Sequence, residues 1–236
     1  TLGICWRKPW FRLSSLVGAP DRQVVRNLAG YVLMALTTAV CVPLSHMLVR
    51  NHLGDSFGLE YAGYWEAMWR LSAAYLMLVT STLGVYYLPR LAELKQAADI
   101  RREILQGYRI ILPVAAASSL VVYLLRDPII TILFDDSFAG MRSLFAPQLL
   151  GDTLKIGSWL LAYLMLGKAM FRLYVVTEVV SASGFVVLTM VFTRVWGFEG
   201  VAVAHMATYL LYWAFLALVM RRYWQGDRAF VQAGQS

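Results

Sequence analysis

Charge and cysteine are scarce in this chain of 236 residues. Charged residues make up 15% of it and cysteine occurs twice, whereas a typical soluble chain is about 25% charged. So little charge excludes a disordered chain, and two cysteines outside any CxxC or Cys/His spacing exclude a disulfide scaffold. No HExxH, GxSxG, Walker or dinucleotide-binding motif occurs. The sequence therefore predicts a protein that is not an enzyme, with no catalytic residues, no metal site and no cofactor.

Hydrophobic residues, in contrast, are abundant, at 59% of the chain with a mean hydropathy of +0.59. A helix needs roughly 17–25 mostly apolar residues to cross a bilayer. Six segments meet this requirement: about 27–49, 70–89, 107–125, 144–167, 173–193 and 200–220. The pattern predicts an all-α, polytopic membrane protein with six transmembrane helices.

The basic residues follow the alternation expected of an even number of spans. Fifteen Lys and Arg residues fall on the side that holds both chain ends, and five fall on the other side. Since positive charge accumulates in cytoplasmic loops, both chain ends are predicted to be cytoplasmic. The net charge of +7 is therefore explained by membrane topology and not by nucleic-acid binding. Residues 27–223 form the predicted membrane lobe. Residues 1–26 are interpreted as the end of a preceding span plus a cytoplasmic loop, and 224–236 as a cytoplasmic tail, so that the chain is expected to be a fragment or a processed product.

Two opposite charges lie inside the fourth predicted span. Asp152 and Lys155 are three residues apart and therefore share a helix face, which Trp159 and Tyr163 continue. One interpretation is an internal ion pair that neutralises itself. The other is a cavity-lining pair that meets substrate or protons, because charge inside a membrane usually faces a bundle interior or a water-filled cavity.

Two further charged residues are candidates for such a cavity. Glu178 lies about one turn inside the fifth span, where it either reaches water, pairs with Lys168 or Arg172, or contributes to the site. Arg70 follows Glu66 by four residues, a spacing that favours an ion pair at the outer end of the second span.

Polar and aromatic residues form stripes on two other spans. In the sixth span, His205, Thr208, Tyr209 and Tyr212 recur at helical spacing, which predicts either hydrogen bonding between helices or a substrate surface. Tyr75 lies on a similar stripe of the second span. His205, Tyr209 and Tyr75 therefore join the cavity candidates.

Aromatic residues crowd the ends of the spans. Because an amphipathic ring suits the headgroup level, they are interpreted as anchors in preference to binding residues. The set comprises Tyr61, Tyr64, Trp65, Trp69, Tyr86, Tyr87, Trp196 and Trp224.

Two long stretches resemble a known family. Gly63–Leu94 (GYWEAMWRLSAAYLMLVTSTLGVYYLPRLAEL) and Arg126–Val179 (RDPIITILFDDSFAGMRSLFAPQLLGDTLKIGSWLLAYLMLGKAMFRLYVVTEV) resemble the bacterial O-antigen and enterobacterial common antigen flippases. These belong to the multidrug/oligosaccharidyl-lipid/polysaccharide exporter superfamily, whose members have two six-helix lobes. The resemblance implies that this chain is the second lobe.

The resemblance also implies a function. It would be translocation of an undecaprenyl-pyrophosphate-linked oligosaccharide from the cytoplasmic to the periplasmic leaflet of the bacterial inner membrane, by alternating access. The implied partners are that glycan lipid, the bilayer, an N-terminal six-helix lobe and polysaccharide polymerase components. Coupling to protons or another ion is left open. The alternatives are a drug/cation antiporter of the same superfamily and a non-transporting membrane scaffold.

Overall fold

The structure, a computed structural model, describes residues 22–134 and 136–224. This part of the chain is helical apart from short connections, which confirms the predicted all-α class. Its helices are α1 (Arg22–Phe57), α2 (Leu59–Thr82), α3 (Leu88–Glu93), α4 (Ala97–Leu124), α5 (Arg126–Leu133), α6 (Phe145–Gly167), α7 (Phe171–Trp196) and α8 (Gly200–Trp224). The predicted preceding span and most of the predicted loop and tail lie outside the described residues.

The long helices extend beyond the hydrophobic segments. α1 continues to Phe57, and α2 begins at Leu59, well before the apolar stretch that starts near residue 70. Gly58 joins the two helices with a φ of 109°, a conformation that glycine adopts without steric cost. α2 passes through a single π turn, Leu83–Tyr87, into α3. Hydropathy marks the apolar part of each helix, and the polar ends are helical as well.

The last two spans form one nearly continuous helical stretch from Phe171 to Arg222, 52 residues long. At 1.5 Å per residue this length far exceeds a hydrocarbon core of about 30 Å. A 3-10 turn at Gly197–Glu199 separates α7 from α8, and Gly197 has a φ of 63°. The described residues contain five stretches long and apolar enough to cross a membrane. Since α7 packs against α8, the last stretch folds back on itself as two helices, which makes six helices of that kind.

The helices pack as a bundle around α6 and α8. These two contact each other most extensively; α8 also packs on α7, α7 on α1, α1 on α2, and α4 on α6. The outer side of α1 exposes a row of large apolar residues: Leu28, Val32, Leu36, Val40 and Leu44. Such a surface is stable in lipid and not in water, and the protein is therefore a multi-pass membrane protein.

Polar residues form a layer between two apolar clusters. One cluster includes Val49, Trp65, Phe145 and Val201, and the other includes Leu83, Ile104, Leu160 and Met220. α2, α4, α6 and α8 each run from one cluster to the other and carry a polar residue between them: Tyr75, Ser119, Asp152 and His205. Because hydrocarbon offers no hydrogen-bond partners, these side chains must satisfy one another.

Candidate functional site

A cavity of about 420 Å³ lies inside the bundle, beside the polar layer. Its wall is contributed by α1, α2, α6, α7 and α8. The polar and aromatic residues that line it are Thr38, Ser45, His46, Trp69, Lys155, Trp159, Tyr163, Tyr174, Glu178, Ser181, His205, Thr208, Tyr209 and Tyr212. A cavity with polar side chains in its wall, between membrane-spanning helices, is a site at which polar cargo can be held away from lipid.

Lys155 occupies an aromatic cage in this cavity. Its ammonium nitrogen lies 4.5 Å from the ring centre of Trp69, 4.9 Å from that of Trp159 and 5.5 Å from that of Tyr209. The residue is only 8% exposed. Each ring presents its electron-rich face to the cation, a contact worth about 0.5–2 kcal/mol depending on desolvation. The cage therefore holds the ammonium within the cavity.

Asp152 does not form the predicted ion pair with Lys155. No oxygen of Asp152 lies within 4 Å of the lysine nitrogen, although both residues belong to the described chain. The carboxylate is fully buried; it accepts a hydrogen bond of 2.8 Å from the Tyr75 hydroxyl and lies 3.0 Å from Nε2 of His205. The Tyr75 hydroxyl is in turn 3.3 Å from the hydroxyl of Ser119. The self-neutralising ion pair is thus wrong: neighbouring helices satisfy Asp152, and the aromatic cage holds Lys155.

The polar stripe of α8 combines both predicted uses. His205, Thr208, Tyr209 and Tyr212 all line the cavity, and His205 also makes the hydrogen bond to Asp152 on α6. His205 is therefore the residue that connects the buried carboxylate to the cavity.

Glu178 lies on the cavity wall, on α7. The ion pairs of the described chain do not include one between Glu178 and Lys168 or Arg172, which was one of the predicted alternatives. Lys168 instead donates hydrogen bonds to the carbonyl oxygens of Ala92, at 3.4 Å, and Leu94. Burial lowers the pKa of Lys168. Among the described residues, the cavity wall thus includes one lysine and one glutamate, Lys155 and Glu178, beside the two histidines His46 and His205.

Three predicted cavity residues, Asp152, Arg70 and Tyr75, are not part of the cavity wall. Arg70 forms the predicted ion pair with Glu66, at 3.0 Å, and its side chain is 76% exposed. Its guanidinium is held on the outside of α2, away from the cavity. Tyr75 lies behind the cavity wall, where its hydroxyl binds Asp152.

Several aromatic residues interpreted as headgroup anchors are internal. Trp65, Tyr64 and Tyr87 are 1%, 6% and 2% exposed. Trp69 lines the cavity, with its ring centre 3.9 Å from that of His46. Because α2 continues as a helix beyond its apolar segment, Trp65 and Trp69 lie inside the bundle. A tryptophan near the end of an apolar segment is therefore not always a headgroup anchor.

Sequence reasoning missed the contribution of α1 to the cavity. Thr38, Ser45 and His46 lie there with Trp69 and Tyr174, and the Thr38 hydroxyl is 2.9 Å from that of Tyr174. Thr38 and Ser45 are seven residues apart, two helical turns, on an otherwise apolar span. That spacing was the signal that could have revealed this polar face.

The fold and the cavity define an all-α, multi-pass membrane protein with a charged chamber inside its helix bundle. Over 202 residues, 86% of the chain, the sequence is 37% identical to the lipid III flippase of Escherichia coli strain K12 and to that of Shigella flexneri. This similarity confirms the predicted resemblance. The match covers 49% of each of these proteins; the chain thus spans about half the length of the curated relatives it matches. No family model and no solved structure matches it.

Proposed function

We propose that this chain takes part in flipping an undecaprenyl-pyrophosphate-linked oligosaccharide across the membrane. The observation that carries the proposal is the caged ammonium of Lys155, held inside a polar cavity of the bundle. A diphosphate is the anionic part of such a lipid, and the attraction between opposite charges is far stronger at low dielectric than in water. The aromatic and hydroxyl groups around the cage suit the sugar residues.

The energetics of Lys155 favour a functional role over a structural one. A lysine near the centre of a membrane helix costs about 2.5–3.5 kcal/mol on insertion scales. Three cation–π contacts at about 0.5–2 kcal/mol each total about 1.5–6 kcal/mol, which is of the same order as that cost. An apolar residue would fill the position without this cost. We therefore assign the ammonium to the binding of an anion.

The chain would act as one lobe of a larger transporter. Its cavity offers one wall, whereas alternating access requires two bodies that rock around a central site. The similarity to half of each relative supports this arrangement. By the distribution of its basic residues, we place both ends of the chain in the cytoplasm and the lobe in the bacterial inner membrane.

The test uses the full-length transporter that contains this lobe, reconstituted in vesicles with a defined polyprenyl-diphosphate-linked glycan. Lys155→Ala should insert normally and lose transport at least tenfold, and Lys155→Arg should retain part of the activity because it keeps the charge. Lys95→Ala, an exposed lysine between α3 and α4, is the matched control and should transport normally. Normal transport by a well-inserted Lys155→Ala protein would remove the lysine from the mechanism.

Glu178 favours the second candidate, a drug/cation antiporter, because it places a carboxylate in the same cavity. The two functions predict opposite results for Glu178→Gln. For an anionic cargo, loss of the negative charge should maintain or increase binding of the glycan lipid. For a cationic cargo, the same change should abolish binding of a lipophilic cation.

A further inference from the structure

A second cavity, also of about 420 Å³, lies between α7 and α8. In contrast to the first, it is almost entirely apolar. Its wall is formed mainly by Val176, Val180, Gly184 and Leu188 of α7 and by Leu211 and Phe215 of α8. We refer to it as the α7–α8 groove.

The groove adjoins the polar cavity. Ser181, Thr208 and Tyr212 line both spaces and form the wall between them. Two of these three residues, Ser181 and Thr208, have small side chains. A single molecule could therefore place a polar part beside Lys155 and an apolar part in the groove.

The groove also opens to the surface of the bundle. Val180, Leu211 and Phe215 are 65%, 60% and 47% exposed. At Gly184 an added Cβ would meet no atom within 4 Å, and the position is therefore open space. The groove thus borders the polar cavity on one side and the surface of the bundle on the other.

We propose that the α7–α8 groove holds the polyprenyl chain of the substrate while its diphosphate lies beside Lys155. This inference rests on the proposed function. An apolar chain gains little by leaving lipid for an apolar groove, since both environments are apolar. The groove instead lets the polyprenyl chain remain in lipid-like surroundings while the diphosphate enters the polar cavity. The groove defines the position on this lobe where the polyprenyl chain leaves the protein.

The experiment uses the full-length transporter in nanodiscs and a polyprenyl diphosphate that carries a photoreactive group within its chain. Cross-linked peptides are mapped for the wild-type protein, for Gly184→Trp and for Gly63→Trp. Gly63 is the matched control, since it also lies inside an α-helix and an added Cβ there meets no atom within 4 Å. The wild type should label residues 176–188 and 208–215 saturably. Gly184→Trp should lose this labelling at least fivefold, and Gly63→Trp should retain it.

The outcomes separate the two proposals. If the wild type shows no saturable binding of the polyprenyl diphosphate, the proposed function fails and the groove assignment with it. If the polyprenyl diphosphate binds saturably but its cross-links fall outside these peptides, the groove assignment alone is overturned. This result is expected if another part of the full protein covers the groove. Equal labelling of Gly184→Trp and Gly63→Trp also overturns the groove assignment. Equal competition by polyprenol without a diphosphate would make the groove a general lipid contact and would also overturn it.

Discussion

Removal of the Asp152 carboxylate should destabilise the bundle more than removal of the Lys155 ammonium. Asp152→Ala leaves two buried groups, the Tyr75 hydroxyl and Nε2 of His205, without their partner. Hydrogen bonds between membrane helices measure about 0.6–1.7 kcal/mol each. Loss of both should therefore lower the free energy of unfolding by about 1–3 kcal/mol.

Lys155→Ala should change stability by about 1 kcal/mol, because the midpoints of two opposing terms nearly cancel. The variant loses its cation–π contacts, worth about 0.5–2 kcal/mol each, but also removes a buried charge that costs about 2.5–3.5 kcal/mol. The measurement is the thermal unfolding of each purified variant in one detergent, with Asp152→Asn as the isosteric control. The unfolding temperature of Asp152→Asn should lie between those of the wild type and Asp152→Ala, because the asparagine amide oxygen still accepts a hydrogen bond from the Tyr75 hydroxyl.

Double-mutant cycles test the assignment of partners. Because Asp152 binds His205 directly and lies more than 4 Å from the Lys155 ammonium, the coupling energy of Asp152 with His205 should exceed its coupling energy with Lys155. A larger coupling with Lys155, or recovery of stability in the double change Asp152→Ala/Lys155→Ala relative to Asp152→Ala, would refute the reasoning and restore the ion pair.

The remaining predictions concern the contact between α6 and α8. Gly151→Ala should lower the unfolding temperature, because the new Cβ would lie 2.4 Å from the His205 ring and 3.1 Å from the backbone of Met206, and overpacking costs about 1–3 kcal/mol. Gly63→Ala, in open space, should instead raise it slightly through the helix propensity of alanine; a stabilised Gly151→Ala would contradict the close approach of the helices. His205→Gln should abolish any dependence of transport on an imposed pH gradient while it keeps a donor for Asp152. We propose this because His205 is the cavity-lining residue in contact with the buried carboxylate, and an unchanged dependence would place coupling elsewhere.

The sequence by itself determined the class of the protein and the helices that cross the membrane. The hydropathy of each segment is a local property, because the thickness of the bilayer sets the length of every span. The distribution of Lys and Arg between alternate loops then indicates which side each loop occupies. Helical periodicity also identified part of the cavity wall. Lys155, Trp159 and Tyr163 follow one face of α6, and His205 and Tyr209 follow one face of α8.

Tertiary structure alone decided which of these residues contact one another. Spacing within a helix shows that Asp152 and Lys155 share a face, but the crossing of neighbouring helices fixes the partner of each. α8 approaches α6 so closely at Gly151 that His205 lies against Asp152. α2 brings Trp69 over Lys155, although a tryptophan near the end of an apolar segment is usually a headgroup anchor. These contacts join residues distant in the sequence, and no local periodicity encodes them.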